Sequence, residues 1–291
     1  MISIVITSFK EPSTIGKAIE SFLRQKIKEK CELIVCAPDK ETINIAKKYK
    51  KVKIFRDPGK GKSYAINWIL PKLKGDIVVL SDGDVYVSEN SVSEILNVFK
   101  NPKIGCVTGR PVPQNSRNNL FGYWAHLLCD AGAHLARLKR WKKQQFLECS
   151  GYLWAFKNKI IKKFPTDVAE DTIVPILFWL RGYKIGYAPE AKVYVKYPTN
   201  LKDFIKQKIR TVKSHESLNK YGFKIKRMKS FFNEIKEGII SSLSYPKNLK
   251  ELFWTKILFF VRLYIWLAAL YQIKIKKKEY TDEWDRIMST K

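Results

Sequence analysis

The stretch Gly75-Asp76-Ile77-Val78-Val79-Leu80-Ser81-Asp82-Gly83-Asp84 decides how the rest of the chain is read. Its apolar run fits a buried strand, and the strand delivers two carboxylates, separated by a glycine, to its end. Side chains two apart in an extended backbone point to the same side. Asp82 and Asp84 can therefore face one cation, while Gly83 lets a ligand approach the main chain. Magnesium or manganese (Mg2+ or Mn2+) suits such a pair, because substrate phosphates and water complete the oxygen shell. The same three residues also fit a solvated turn, a common use of Asp and Gly, so the surrounding chain has to choose between the two.

The chain has 291 residues, enough for one large α/β domain with an appendage or for two modest domains. Its 55 basic residues face 27 acidic ones, a net charge of +28 that points to an anionic neighbour. Nucleic acid, anionic lipid and phosphorylated substrates meet that description, and a lysine-rich solvated surface is the plain alternative. Ion-pair networks do not account for so one-sided an excess. Five cysteines without a Cys-x-x-Cys pair read as reduced, mostly buried thiols of an intracellular protein. His126, His134 and His215 are too scattered for a zinc site. The chain opens on Ile2-Ser3-Ile4-Val5-Ile6-Thr7 without a basic n-region, so no secretory signal is expected.

Residues 2–8 form a β-branched run of the kind that fills the middle of a parallel sheet, followed by Ser8-Phe9-Lys10-Glu11-Pro12-Ser13. Ser13 is placed as the N-cap of a helix carrying Ile15, Ala18, Ile19, Phe22 and Leu23 on one side. A strand at 32–37, a helix at about 41–50 and a strand at 52–55 follow. Next come Arg56-Asp57-Pro58-Gly59-Lys60-Gly61-Lys62-Ser63, a helix with Ala65, Ile66, Trp68, Ile69 and Leu70, and the strand quoted above. This alternation predicts a βαβ array with a parallel sheet, whose ligands gather beyond the strand carboxyl ends. Residues 7–11, 59–62 and 82–84 all fall there. Gly61-Lys62-Ser63 ends like a phosphate-binding loop, yet Arg56 stands where that loop needs its first glycine. That spacing refuses a P-loop, and no Gly-x-Gly-x-x-Gly follows the first strand, so a dinucleotide-binding fold is also unsupported. A basic loop before a helix amino terminus remains, either a diphosphate cradle or a lysine-rich turn.

A helix carrying Val92, Ile95, Leu96 and Phe99 leads to a strand at 104–108, after which Gly109-Arg110-Pro111-Val112-Pro113 ends the repeat. Residues 117–145 read as one helical stretch that either lines an acceptor cleft or packs on the sheet. A strand at 149–156 contains Gly151, which permits close approach of a ligand or a backbone. Asp171 opens the helix at 172–180, and an N-cap is its plain structural role.

In this order the landmarks resemble family 2 glycosyltransferases of the GT-A fold. The likeness rests on residues 4–11, Gly61-Lys62-Ser63-Tyr64-Ala65-Ile66-Asn67, Asp82-Gly83-Asp84, Ser150-Gly151 and Glu170-Asp171, and it covers about residues 1–215. It implies an α/β GT-A type, Rossmann-like domain with a mostly parallel central sheet, moving a sugar from a UDP- or GDP-linked donor with inversion. Asp171 would be the general base. Asp84 and Asp82 would hold the cation, with Asp82 nearer the ribose. Thr7, Glu11, Asp39, Lys62, Asp82 and Arg210 would bind the nucleotide sugar, and Ser150, Gly151, Glu170 and Gln207 the acceptor. Two departures stand out. Ala37-Pro38-Asp39 replaces an Asp pair, which leaves base preference open. Gln207-Lys208-Ile209-Arg210-Thr211 resembles the Gln-x-x-Arg-Trp motif of processive synthases but carries Thr211 in place of the tryptophan, so addition of one or a few sugars is expected over polysaccharide synthesis.

Residues 202–229 are a basic amphipathic run suited to an anionic lipid surface. Residues 253–273 are apolar and about long enough to span a bilayer, though Lys256 and Arg262 interrupt them, so a spanning helix, an interfacial one and a packing helix all stay open. The expected organisation is a catalytic domain at 1–220 and a helical membrane-associated region at 221–291, with the catalytic domain on the cytoplasmic side and a lipid-linked or glycan acceptor. A nucleic-acid-binding protein is the competing class. No recognised module supports it, and the aromatics sit in apolar runs, so nucleic acid is not the expected partner.

Overall fold

The computed structural model describes residues 1–225, 228, 241–282 and 287–290. Residues 226, 227 and 229 of the basic run, together with 230–240, 283–286 and 291, lie outside the described residues. The chain forms two compact units: residues 1–111 and 147–195 with Asp282 make the first, and 112–146 with the described parts of 196–281 and 287–290 make the second. They interleave along the sequence, and residue 220 lies inside the second.

The first unit alternates strand and helix as the periodicity predicts: β1 (Ile2–Thr7), α1 (Ile15–Leu23), β2 (Cys31–Ala37), α2 (Lys40–Ala46), β3 (Val52–Arg56), α3 (Lys62–Ile69) and β4 (Ile77–Asp82). Then come β5 (Tyr86–Val87), α4 (Ser91–Phe99), β6 (Ile104–Pro113), then α5 (Leu120–Leu127) and α6 (Leu135–Lys142) of the second unit, and then β7 (Leu153–Lys157), α7 (Glu170–Leu180) and β8 (Lys184–Val195). The sheet order is β3-β2-β1-β4-β7-β6-β8-β5. β3, β2, β1 and β4 are parallel, and Ile4, Val5, Ile6, Val78, Val79 and Leu80 are fully buried between helices, which is why these runs are apolar throughout. β7 runs antiparallel to β4 and β6, and β8 to β5, so the sheet is mixed and only its first half is parallel. The long β8 has no counterpart in the sequence reading, because Gly186 and Pro189 mask it; Gly186 is where α4 packs against the strand.

Local differences have local causes. α1 starts after Thr14, without a side-chain cap from Ser13, and buries Ile15, Ala18, Ile19 and Phe22 while Leu23 turns to solvent. Asp39 caps α2, accepting the Thr42 N–H at 2.9 Å. All five cysteines are free thiols, with Cys36, Cys106, Cys129 and Cys149 buried and Cys31 exposed.

In the second unit the stretch expected at 117–145 is α5 (Leu120–Leu127), a π-helical segment (Leu128–His134) and α6 (Leu135–Lys142). α8 (Leu201–Ser217) and α9 (Leu249–Lys274) complete it. Tyr123, Trp124, Phe204, Val212, Leu258, Ile265 and Trp266 share one core. Arg117 grips Glu251 with two hydrogen bonds of 2.8 Å, and Trp124 Nε1 donates to the Trp254 carbonyl at 2.8 Å. α9 is long and apolar enough to cross a membrane by length and composition. One face of it, with Thr255, Leu258, Ile265 and Ala269, is buried, whereas Phe253, Phe260, Leu267 and Tyr271 stand exposed along the other, Phe260 at 74%.

Candidate active site

The register of the first unit gathers the polar residues. Thr7 pairs with Asp82 across β1 and β4, and Ser81 faces Leu153 across β4 and β7, which brings the Gly151 turn beside the end of β4. Thr7 Oγ1 donates to Asp82 Oδ1 at 3.3 Å, and Ser81 Oγ donates to the Tyr152 carbonyl at 2.8 Å. Beyond β1, Ser8 Oγ donates to Glu11 Oε2 at 2.8 Å, and the Glu11 N–H reaches Thr42 Oγ1 at 2.9 Å. The Gly83 N–H bonds the Thr7 carbonyl at 2.9 Å, and a Cβ at position 83 would sit 2.6 Å from Glu11 Oε2. Gly83 is thus needed for close approach, and the groups that approach are the Ser8 hydroxyl, at 2.2 Å from such a Cβ, and the buried Glu11 carboxylate.

Lys62, the first residue of α3, is the centre of the cluster. Its Nζ lies 2.6 Å from Asp82 Oδ1, 3.0 Å from Glu170 Oε1 and 2.9 Å from the Gly151 carbonyl. All three donors of the ammonium are engaged, so it bridges the end of β4 to the start of α7. Burial opposes the charge on Lys62, but Asp82 and Glu170 outweigh it and hold the ammonium well above the usual lysine range. Two acids, Glu170 buried and Asp82 partly exposed, share this one cation. Burial, countered by Lys62 and reinforced by the charge of Asp84, pushes the Asp82 carboxyl up. Burial also pushes Glu170 up to about 7, against Lys62 and helped by Asp171 and Asp282.

Asp171 lies inside the first turn of α7, whose N-cap is Ala169, so it is not the capping residue. Its Oδ2 accepts the Gly151 N–H at 2.8 Å, and Thr172 Oγ1 donates to its Oδ1 at 3.3 Å. The Ser150 N–H goes to Thr108 Oγ1 at 3.0 Å, so Ser150 braces the turn through its backbone. Asn67 holds the segment before α7: its Nδ2 donates to the Phe164 carbonyl at 2.8 Å and its Oδ1 accepts the Phe164 N–H at 2.7 Å.

Of the residues singled out from the sequence, the structure brings together Thr7, Lys62, Asp82, Gly151, Glu170 and Asp171, with Asp84 acting on Asp82 through its charge. Asp39 spends its carboxylate on the Thr42 and Lys10 N–H groups, at 2.9 and 2.8 Å. Gln207 and Arg210 belong to the second unit. There Gln207 Oε1 is buried without a hydrogen-bond partner among the described residues, and the Arg210 guanidinium lies 5.9 Å from the centre of the Tyr280 ring. Sequence reasoning missed Asp282. Its Oδ2 accepts the Ser63 N–H at 2.6 Å and its Oδ1 the Ser63 hydroxyl at 3.2 Å. The one signal was an acidic residue soon after Lys276-Lys277-Lys278 in a strongly basic chain. Among the described residues, no group of three or more His, Cys, Asp or Glu is arranged to hold a metal, so a cation here needs oxygens from a substrate or water beside Asp82 and Asp84. Both protein contacts of Asp82 fall on Oδ1, and its carboxyl is crowded by the charge of Asp84; two such hard oxygen donors at one strand end fit a divalent ion.

A mixed α/β sheet of this kind, with its carboxylates beyond β1 and β4, has the GT-A glycosyltransferase fold. The mannosyltransferase PcManGT from Pyrobaculum calidifontis, solved in complex with GDP-Man and Mn2+, matches it with a TM-score of 0.62 at 16% identity, covering 94% of this chain and 81% of that one. The Staphylococcus aureus TarS fragment 1–349, in complex with UDP-GlcNAc, matches at 0.50 and 15% identity over 92% and 79% of the two chains. At these identities the likeness concerns the fold alone. The chain belongs to the glycosyltransferase like family 2, whose family model matches residues 1–214. Poly-beta-1,6-N-acetyl-D-glucosamine synthase of Staphylococcus aureus (strain COL) is 28% identical over 248 residues, which are 79% of this chain and 58% of that protein. The probable glycosyltransferase YdaM of Bacillus subtilis (strain 168) is 25% identical over 275 residues, 89% of this chain and 63% of that protein. The chain therefore spans about 58–63% of the length of these relatives.

Proposed function

We propose that the chain is an inverting, divalent-metal-dependent glycosyltransferase that moves one or a few sugars from a nucleotide sugar to a hydroxyl or phosphate of its acceptor. The observation that carries this reading is the Lys62 bridge: one buried ammonium ties Asp82 at the end of β4 to Glu170 and Gly151 beside Asp171. A single displacement needs such a pairing, with charge stabilisation where the diphosphate departs and a carboxylate where the acceptor loses its proton. With a hydroxyl acceptor, Asp171 takes the proton, the acceptor oxygen forms its bond to the anomeric carbon, and the bond from that carbon to the diphosphate breaks. The Gly151 N–H fixes the orientation of the Asp171 carboxylate. Asp84 and Asp82 would hold magnesium or manganese, which supplies Lewis-acid stabilisation of the leaving diphosphate. Thr7, Glu11 and Asp39 shape the nucleoside side, and Ser150, Gly151 and Glu170 the acceptor side; Gln207 and Arg210 are assigned to acceptor and diphosphate by family resemblance.

Neighbours that carry GDP-Man and UDP-GlcNAc support a UDP- or GDP-linked donor. A second reading, a polysaccharide synthase, is favoured by the curated relatives that bear that name. Thr211 in place of the stacking tryptophan favours addition of one or a few sugars. The exposed apolar face of α9 and the net charge of +28 support docking to an anionic membrane surface, with a lipid-linked or glycan acceptor and the catalytic unit on the cytoplasmic side. The deciding experiment is Asp171→Asn. Asn retains an oxygen for the Gly151 N–H, so donor binding should persist while transfer falls about 10²–10⁴-fold, the usual contribution of a general base. Unchanged transfer by this variant would remove Asp171 from the mechanism.

A further inference from the structure

The amino-terminal turn of α3 is built to receive an anion and already holds one. Gly61, at φ +123°, precedes the helix, and a Cβ there would lie 2.2 Å from the Asp282 carbonyl oxygen and 2.6 Å from its Oδ2, so the glycine opens the space that Asp282 fills with both backbone and carboxylate. Both oxygens of Asp282 are used, one on the Ser63 N–H and one on its hydroxyl. Ser63 is fully buried and Asp282 is 4% exposed. A phosphate oxygen pair would make the same two contacts. Ser63 directly follows Lys62 in the chain, and the Asp282 charge is among those that help raise Glu170. Its approach, residues 276–279, is exposed and irregular with Lys277 at φ +50°, and is held by the Glu279–Lys220 ion pair and the Lys278 N–H on the Gln272 carbonyl at 2.9 Å.

We propose that Asp282 is an internal stand-in for a donor phosphate, a latch that competes with the nucleotide sugar for the start of α3 and must leave before the diphosphate can settle. The proposal rests on the glycosyltransferase reading above and adds regulation to that site. A latch lowers apparent affinity by the fraction of molecules in which it is open, so the strength of the closed contact sets the donor requirement. Whatever draws the carboxyl-terminal end away would raise activity at low donor concentration without touching a reacting group.

The test uses the full chain as wild type, Asp282→Ala and Asp282→Asn, titrated calorimetrically with UDP and with GDP in the presence of manganese. Asp282→Ala should tighten binding of the accepted nucleoside diphosphate about tenfold. Asp282→Asn keeps the shape but loses the charge, and should fall between the two. In a second arm that needs no variant, trypsin cleavage after Lys276, Lys277 and Lys278 of the wild type should accelerate when the diphosphate is added. Equal or weaker binding by both variants, or cleavage indifferent to the diphosphate, overturns the latch and leaves the enzyme reading standing. Failure of all three chains to bind either diphosphate overturns the donor reading and the latch with it, and is told apart by the missing wild-type signal.

Discussion

Replacing Lys62 with Met keeps the length of the side chain and removes the charge that three groups share. Asp82 Oδ1 at 2.6 Å, the Gly151 carbonyl at 2.9 Å and Glu170 Oε1 at 3.0 Å all lose their donor, and Lys62 itself is only 13% exposed, so water cannot fully replace it. Breaking a buried ion pair by removing one partner costs about 3–5 kcal/mol, because the remaining charge is stranded. At about 2–4 °C per kcal/mol for a domain of this size, the melting temperature should fall by roughly 6–20 °C. The pH dependence is the sharper readout. Glu170 is already pushed up to about 7 with the lysine present, and without it both acids rise further. An acid whose folded pKa is raised is stabilised below its unfolded value and loses that stability as pH climbs through the folded value. The gap between Lys62→Met and wild type should therefore be widest near about pH 8 and shrink toward about pH 5. Differential scanning fluorimetry across that range reads it directly. A melting point within about 2 °C of wild type throughout, or a gap that widens in acid, refutes the claim that Lys62 binds the two halves of the site.

The same logic predicts that Glu170→Gln flattens the stability profile: wild type should lose ground to the variant as pH rises from about 4.5 through about 7, measured by thermal melts, because the amide has no charge to bury. Asp84→Ala should abolish manganese-dependent donor binding in calorimetry while moving the melting temperature by only a few degrees, as removal of a partly exposed carboxylate does. The double variant Phe260→Ser with Leu267→Ser should weaken co-sedimentation with phosphatidylglycerol vesicles and leave melting unchanged, since both side chains are exposed on α9; binding equal to wild type counts against that face as the membrane contact.

The first half of the sheet was legible because parallel strands buried on both faces are near-continuous apolar runs, as residues 4–6 and 77–80 are. The second half was not, because β8 contains Gly186 and Pro189 and β5 is two residues long. Asp82, Lys62 and Asp171 could be picked out by spacing and family likeness, yet spacing says nothing about partners. It could not show that Lys62 is held by two acids, or that Gly83 makes room for Glu11. Asp39 was read as a nucleoside contact where the fold also employs it as a helix cap, a local use that Asp serves wherever it precedes a helix. Asp282 offered only its place after a lysine run, which says nothing of a contact with Ser63 that spans 219 positions.

Asn67 bears on how this chain could be recombined with its relatives. Its amide grips both the N–H and the carbonyl of Phe164, standing in for a rung of sheet between α3 and the segment ahead of α7. Phe164 is 1% exposed, so its backbone has little access to water as a substitute. A chimera that imports the acceptor-side segment without a matching residue 67 would leave two shielded main-chain groups unsatisfied, at about 1–3 kcal/mol each. The α3 segment and the segment ahead of α7 are thus not independent modules: a crossover that respects Asn67 and Phe164 as a pair inherits a working joint, and one that separates them does not.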